Sequence, residues 1–145
     1  MSTDPVGVRE GTAADLPAVF AIADTWIGGK SKLYYQDNEQ RALIRTAVDK
    51  GNKRLLLAEL EGQVVGFAVY VMEGEVAFIT LVITARDHGR RGVASELIRA
   101  VVARHTQVGA CNDVGPEMKQ MYVKLGFRCI DKFQPGPYRN WVFER

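Results

Sequence analysis

The chain has 145 residues, of which 47% are hydrophobic and 25% charged, proportions that suit one domain around one core. Nineteen Lys+Arg against seventeen Asp+Glu leave a net charge of +2, too little for a general nucleic-acid surface. The two cysteines, Cys111 and Cys129, fit no metal spacing, and no apolar run is long enough to span a bilayer.

No linker, repeat or low-complexity stretch divides the sequence, so one domain over 1–145 is expected. Residues 6–10 read as a short strand. Asp15 then reads as an N-cap, with Leu16 and Pro17 in the first helical turn, where proline is tolerated. Leu16, Val19, Phe20 and Ala23 recur at helical spacing and predict a buried stripe. Gly28 and Gly29 break that helix. A second helix is predicted over 37–50, with Leu43, Ile44, Ala47 and Val48 inward and Gly51 ending it. Three strands follow over 54–60, 63–72 and 75–84. The short turns between them, Glu61-Gly62 and Glu73-Gly74, predict an antiparallel meander.

The period then changes to helical. Val93, Leu97 and Val101 form one line with Ala94, Ile98 and Val102 beside it, while Glu96, Arg99 and Arg104 face outward. A short strand near 108–111 leads to another helix, with Gly115 as its cap and Pro116 at its first position. Met118, Met121, Tyr122 and Leu125 share a face. Gly126 is expected to end this helix in the left-handed conformation, with Phe127 folded back on the last turn. Strands over 128–133 and 139–144 flank the turn-prone Gln134-Pro135-Gly136-Pro137. The order β-α-α-β-β-β-α-β-α-β-β predicts an α+β domain, a mixed, mostly antiparallel sheet with helices on both faces.

The chemistry concentrates in residues 79–98. A strand (Ile79 to Thr84) runs into the basic, glycine-bearing loop Arg86-Asp87-His88-Gly89-Arg90-Arg91-Gly92 and opens directly into a helix at Val93. The first four N–H groups of a helix have no partner within it, and the aligned peptide dipoles add partial positive charge there. Gly92 lets an anion approach the backbone. Arg86, Arg90 and Arg91 add full charges. A phosphate or pyrophosphate is the natural guest.

Three stretches now point one way. Val8-Arg9-Glu10 is followed by Thr12 and Asp15-Leu16-Pro17. Arg90-Arg91-Gly92-Val93-Ala94 resembles the later part of a loop written Q/R-x-x-G-x-G/A. Met121-Tyr122-Val123-Lys124-Leu125-Gly126-Phe127 resembles a late helix ending in Y-x-K-L-G-F. Together and in this order they resemble the GNAT (Gcn5-related) N-acetyltransferases along essentially the whole chain. Two positions depart from the pattern: Gly89 stands where the family usually has Gln or Arg, and Gly115 where many members have Asn.

The resemblance implies acetyl-CoA, or a related acyl-CoA, as donor and a primary amine on a small molecule or peptide as acceptor. It implies that the backbone of Val82, Ile83 and Thr84 holds the pantetheine arm like an added strand. The loop position Gly89 and the amides of Arg90, Arg91, Gly92, Val93 and Ala94 would take the pyrophosphate, with Ser95 adding a hydroxyl. Each hydrogen bond to a charged oxygen contributes roughly 1.5–3 kcal/mol, more than the ~0.3–1 kcal/mol of the helix dipole, so the amides dominate affinity.

Amine attack on a thioester needs a deprotonated amine, a stabilised carbonyl oxygen and a leaving thiolate. By the resemblance, Tyr122 donates a proton to that thiolate. A phenol of pKa ~10 facing a thiol of pKa ~8.5 is mismatched by roughly 1.5 units, about 2 kcal/mol, so it assists without being an ideal acid. Glu75 is the candidate base, because some members place a Glu on that strand. Glu73 is a rival, and a water chain is the alternative to both. Trp26, Tyr34, Tyr35 and Tyr138 lie in regions that line the acceptor pocket in the family. His88 reads as a surface residue, His105 as closing a helix, and Cys111 as a small buried side chain.

The N-terminus lacks an export pattern, so a cytoplasmic enzyme with free thiols, no bound metal and no membrane contact is expected. Other readings are a GNAT-type toxin acetylating aminoacyl-tRNA, which would need a continuous basic face, and a catalytically idle acyl-CoA-binding domain. Exposed late strands leave room for a homodimer.

Overall fold

A computed structural model describes residues 6–24, 38–85, 92–111, 116–130 and 140–144, with side chains described for all of these but 111, 116–119, 128–130 and 140–144. The elements in chain order are β1 (Gly7–Glu10), a 3-10 turn (Ala13–Asp15), α1 (Leu16–Asp24), α2 (Asn38–Asp49), β2 (Arg54–Leu60), β3 (Gln63–Glu73), β4 (Val76–Thr84), α3 (Val93–Arg104), β5 (Gln107–Cys111), α4 (Pro116–Lys124), β6 (Arg128–Ile130) and β7 (Asn140–Glu144). The expected order is therefore observed. The seven strands form one sheet, β1-β2-β3-β4-β5-β7-β6. Every neighbouring pair is antiparallel except β4 and β5, which run parallel with α3 as the crossover between them. β7 lies between β5 and β6, so it is no edge; among the described residues β6 is the outer strand on that side.

The sheet has two cores. On one face α1 and α2 contribute Leu16, Val19, Phe20, Ile22, Ala23 and Ile44, packed on Leu55, Leu57, Phe67, Val69 and Ile83. On the other, α3 and α4 bring Val93, Leu97, Ile98, Val101 and Tyr122 onto Leu56, Ala58, Val65, Ala68, Tyr70 and Ile79. Strict alternation along a strand would keep each parity on one face. β4 breaks it. Val69 pairs with Leu81 and Tyr70 with Ile79, which leaves Thr80 as an extra residue. Its hydroxyl donates to the Val69 carbonyl at 3.1 Å. Across this bulge the facing swaps: Ala77 and Ile79 belong to the α3 face, Leu81 and Ile83 to the α1 face.

Several local expectations need correction. Asp15 is not the N-cap. Thr12 is, with its side chain accepting from Ala14 N–H, and Asp15 closes a capping box by accepting from the Thr12 amide. Asp15 is also held by Arg9 at 2.9 Å, and this hydrogen-bonded cation keeps its carboxyl below the usual carboxylate range. Leu43 is 61% exposed rather than inward, because the α2 stripe centres on Ile44, flanked by half-buried Ala47 and Val48. Gly51 (φ +78°) does end α2, with the Asn52 amide reaching back to the Ala47 carbonyl at 2.8 Å.

Candidate functional site

The site begins where β5 stops. β4 and β5 pair from Val76↔Gln107 to Ile79↔Ala110, and no further pairing between them follows among the described residues. The Thr80 bulge sits at that point. Beyond it, among the described residues, β4 pairs with β3 alone, as far as Thr84. The Ala85 amide donates to the Val65 carbonyl of β3 at 2.7 Å. In an antiparallel pair, alternate residues turn their backbone groups to the same neighbour. Leu81, Ile83 and Ala85 therefore turn toward β3, and Val82 and Thr84 turn to the side that β5 has left. This corrects the expectation for three consecutive residues, since Ile83 is committed to β3. Alternate residues that face away from the neighbouring strand are what an added extended chain uses.

Just past this opening lies the start of α3. Gly92 is its N-cap, at φ +75° and ψ 15°, with no side-chain cap. The first helical bond runs from the Glu96 amide to the Gly92 carbonyl at 3.0 Å. Among the described residues nothing accepts from the amides of Val93, Ala94 and Ser95. A non-glycine residue in the left-handed region costs roughly 1–2 kcal/mol, so Gly92 is suited to this corner. An anion is the fitting guest for a row of amides that the chain itself leaves uncapped.

The helix start is held close to the sheet by a residue that sequence reasoning did not single out. A Cβ placed on Gly66 of β3 would lie 2.6 Å from Val93 Cγ1 and 3.1 Å from the Ile83 carbonyl oxygen. Only a residue without a side chain lets Val93 seat there. The available signal was a glycine inside an otherwise apolar strand, Val64-Val65-Gly66-Phe67-Ala68, which marks close approach of another segment. Thr80 was also missed, because the apolar run from Ala77 to Ile83 masks the change of face.

Tyr122 lies on α4, which packs in the same core as Val93, Leu97 and Ala110. It is 2% exposed, with its ring 5.0 Å from that of Phe127. Gly126 (φ +95°) ends the helix as expected. Phe127 N–H reaches the Tyr122 carbonyl at 2.9 Å, and Gly126 N–H the Val123 carbonyl at 3.1 Å. This pair of bonds is the Schellman pattern.

Glu75 is not brought to this group. It is an exposed residue of the β3–β4 turn. Seven residues separate it from Val82, about 23 Å along an extended strand. It sits beside the start of β5, at the end of β4 away from the opening, and its candidacy as base is withdrawn. Glu73, paired with Val76 at the same end, falls with it. Gly89, Arg90 and Arg91 of the loop, and Trp26, Tyr34, Tyr35 and Tyr138, lie outside the described residues. No helix among the described residues is long and apolar enough to cross a membrane.

Known proteins share this fold. Residues 19–127 match the Acetyltransferase (GNAT) family. Among solved structures, the chain is similar to the PaiA N-acetyltransferase of Thermoplasma acidophilum in complex with coenzyme A. That likeness has a TM-score of 0.77 at 10% identity and covers 98% of this chain and 100% of that one. An N-acetyltransferase from Staphylococcus aureus aligns with a TM-score of 0.75 at 16% identity, over 97% and 99% of the two chains. An acetyltransferase from Thermus thermophilus aligns with a TM-score of 0.74 at 18% identity, over 98% of each. No curated protein matches the chain in sequence. At such identities the solved structures speak for the fold, and the family match over most of the chain carries the rest. The chain belongs to the GNAT acetyltransferase family, and is an acyltransferase that draws on acyl-CoA and serves an amine acceptor.

Proposed function

We propose that the protein transfers an acetyl group from acetyl-CoA directly to a primary amine while both are bound. The observation that carries this reading is the opening between β4 and β5 with the uncapped start of α3 beside it. The backbone of Val82 and Thr84 receives the pantetheine arm, and the amides of Val93, Ala94 and Ser95 receive the pyrophosphate. Gly89, Arg90 and Arg91 complete that loop in this reading, and Trp26, Tyr34 and Tyr138 line the acceptor side.

Transfer then needs no covalent enzyme intermediate. The amine nitrogen bonds to the thioester carbon, the carbon–sulfur bond breaks, and the sulfur leaves as a thiolate. The Tyr122 hydroxyl gives that sulfur a proton. The attacking nitrogen loses its own proton to water, since no carboxylate among the candidates reaches the opening. Tyr122 suits the donor role because its ring is fixed by burial and by Phe127, so its hydroxyl acts from one position.

The experiment is an acetyl-CoA turnover screen over polyamines, amino acids, aminoglycosides and peptide N-termini, read by release of free thiol. Thiol release dependent on one amine class supports the reading. Thermal shift comes first. Acetyl-CoA at ~100 times its dissociation constant adds about 2.7 kcal/mol to stability, whereas adenine at the same concentration adds little. Equal shifts with both, and no thiol release with any amine, would remove the transferase reading.

A further inference from the structure

Positive charge also gathers at the far end of α3, ~16 Å along the helix axis from its uncapped amides. The last bond from the β1 side to β2 runs from the Gly11 amide to the Leu55 carbonyl at 2.8 Å, so Arg54 lies past the covered stretch. Here the ends of β1 and α2 and the start of β2 enclose a cavity of about 220 Å³. Its lining includes Glu10, Val48, Lys53, Arg54, Leu55 and Tyr70. Sites for drug-sized ligands run to ~300–1,000 Å³, so this one suits a smaller guest.

The charges of the lining are unbalanced. The side chains of Lys53 and Arg54 have no hydrogen bond or ion pair with a described residue. They are not needed as caps of α2. The Thr46, Ala47 and Val48 carbonyls already accept from the Lys50, Asn52 and Gly51 amides at 3.0, 2.8 and 3.0 Å. Glu10 is the carboxylate of the lining; its side chain is 76% exposed and stands 3.9 Å from Arg104, which offsets its charge. Glu73 of β3 is three residues beyond Tyr70, ~10 Å along the strand. Asp49 and Lys50, at the end of α2, are exposed, outside the lining and opposite in charge.

Tyr70 adds a buried donor. Arg54 and Tyr70 are paired across β2 and β3, which sets their side chains on one face of the sheet. Tyr70 is 2% exposed. Among the described residues, His105 Nε2 at 3.2 Å is the one partner of its hydroxyl. A phenol both donates and accepts, so with Nε2 donating, the Tyr70 proton is left for a guest in the cavity. The same imidazole registers the uncompensated cations: burial lowers its pKa, and the charges of Arg54 and Arg104 lower it further. We infer that the cavity binds a small dianionic phosphate group through the Arg54 guanidinium fork, the Lys53 ammonium and the Tyr70 hydroxyl. This site is separate from the coenzyme site and does not depend on it.

The test is NMR titration of the full chain with sodium phosphate at neutral pH, followed at the His105 imidazole, whose signal is assigned by its loss in His105→Gln. Sodium chloride at equal ionic strength is the control. The probe is local, so phosphate held at the start of α3 does not register as binding here. The His105 signal should move and saturate with a dissociation constant in the millimolar range, as suits cations open to solvent, and chloride should not reproduce it. Arg54→Gln and Lys53→Gln change accessible side chains; each should weaken phosphate a few-fold, and the double variant roughly tenfold. Glycerol 3-phosphate is titrated in parallel. Tighter binding than phosphate assigns the site to a phosphomonoester, and equal or weaker binding to the free ion. A His105 signal that moves alike in phosphate and chloride overturns the inference. So does equal saturation in the double variant.

Discussion

Phe127 and Tyr122 hold each other in two ways at once. The Phe127 amide donates to the Tyr122 carbonyl at 2.9 Å, and the two rings meet at 5.0 Å and 50°. The helix terminus that stops α4 is thereby also the clamp on the residue proposed to protonate the leaving sulfur. Removing the hydroxyl alone tests that role. Tyr122→Phe keeps the ring, its burial and its contact with Phe127. It should lower kcat by about 10–100-fold, at the modest end of general acid catalysis because a thiolate is already a fair leaving group. The dissociation constant for acetyl-CoA should stay within about twofold. Unchanged kcat would leave Tyr122 a core residue only.

The clamp itself depends on Gly126, which sits at φ +95°. A side chain there costs roughly 1–2 kcal/mol. Gly126→Ala should lower Tm by several degrees, since about 1 kcal/mol moves Tm by roughly 2–8 °C for domains of this size range. Gly126→Asn should lose less, because Asn tolerates the left-handed region better. Differential scanning calorimetry on the three proteins checks the order.

Gly66 is the most exacting position under the coenzyme site. Gly66→Ala puts a carbon within 2.6 Å of Val93 Cγ1, an overpacking that costs about 1–3 kcal/mol. Because Val93 is the first residue of α3, the strain falls on the amides that meet the pyrophosphate. Both Tm and coenzyme affinity should fall. Adding Val93→Ala removes the colliding methyl, so the double variant should recover part of the coenzyme affinity that Gly66→Ala loses. Losses that simply add would mean that the two positions do not act through their contact.

His105 follows the end of α3 and stands 3.2 Å from the Tyr70 hydroxyl, with the rings edge to face at 5.3 Å. Burial lowers its pKa below the ordinary value of 6.5, and the charges of Arg54 and Arg104 lower it further. The folded protein therefore takes up a proton less readily than the unfolded chain. The neutral ring's contribution is fully present above about pH 6.5. It is lost as pH falls from there through the lower folded value. Urea midpoints at pH 7.5 and pH 5.5 should differ, and His105→Gln should narrow the difference. An unchanged difference would assign it to other groups.

Much of this protein is legible residue by residue. Glycine at 51 and 126, proline at 116 and the two-residue turn at 61–62 fix where helices and strands begin and end, because each acts on the backbone beside it. The turn expected at 73–74 falls one residue later, at 74–75, because Glu73 still pairs with Val76. The apolar stripes of α1 and α3 follow from spacing alone. The Arg90-Arg91-Gly92-Val93-Ala94 stretch and the Tyr122 to Phe127 helix end point to the family before any coordinate is known. Leu43 and Asp15 went astray for local reasons: a stripe wider than the face α2 buries, and a capping box whose first member lies three residues earlier.

What the tertiary structure alone decided is where strands part. Glu75 directly precedes β4 in the sequence, but whether it reaches the opening depends on which end of β4 is covered by β5, and that follows from their parallel pairing. Which of Val82, Ile83 and Thr84 face outward depends on the Thr80 bulge and on hydrogen bonds to β3. The need for glycine at 66 exists only because α3 lands on that strand. Sequence pattern encodes what a residue does to its own backbone and to its own face. Pairing partners, bulges and close approaches arise between segments far apart in the chain, so they become readable only once the chain has folded.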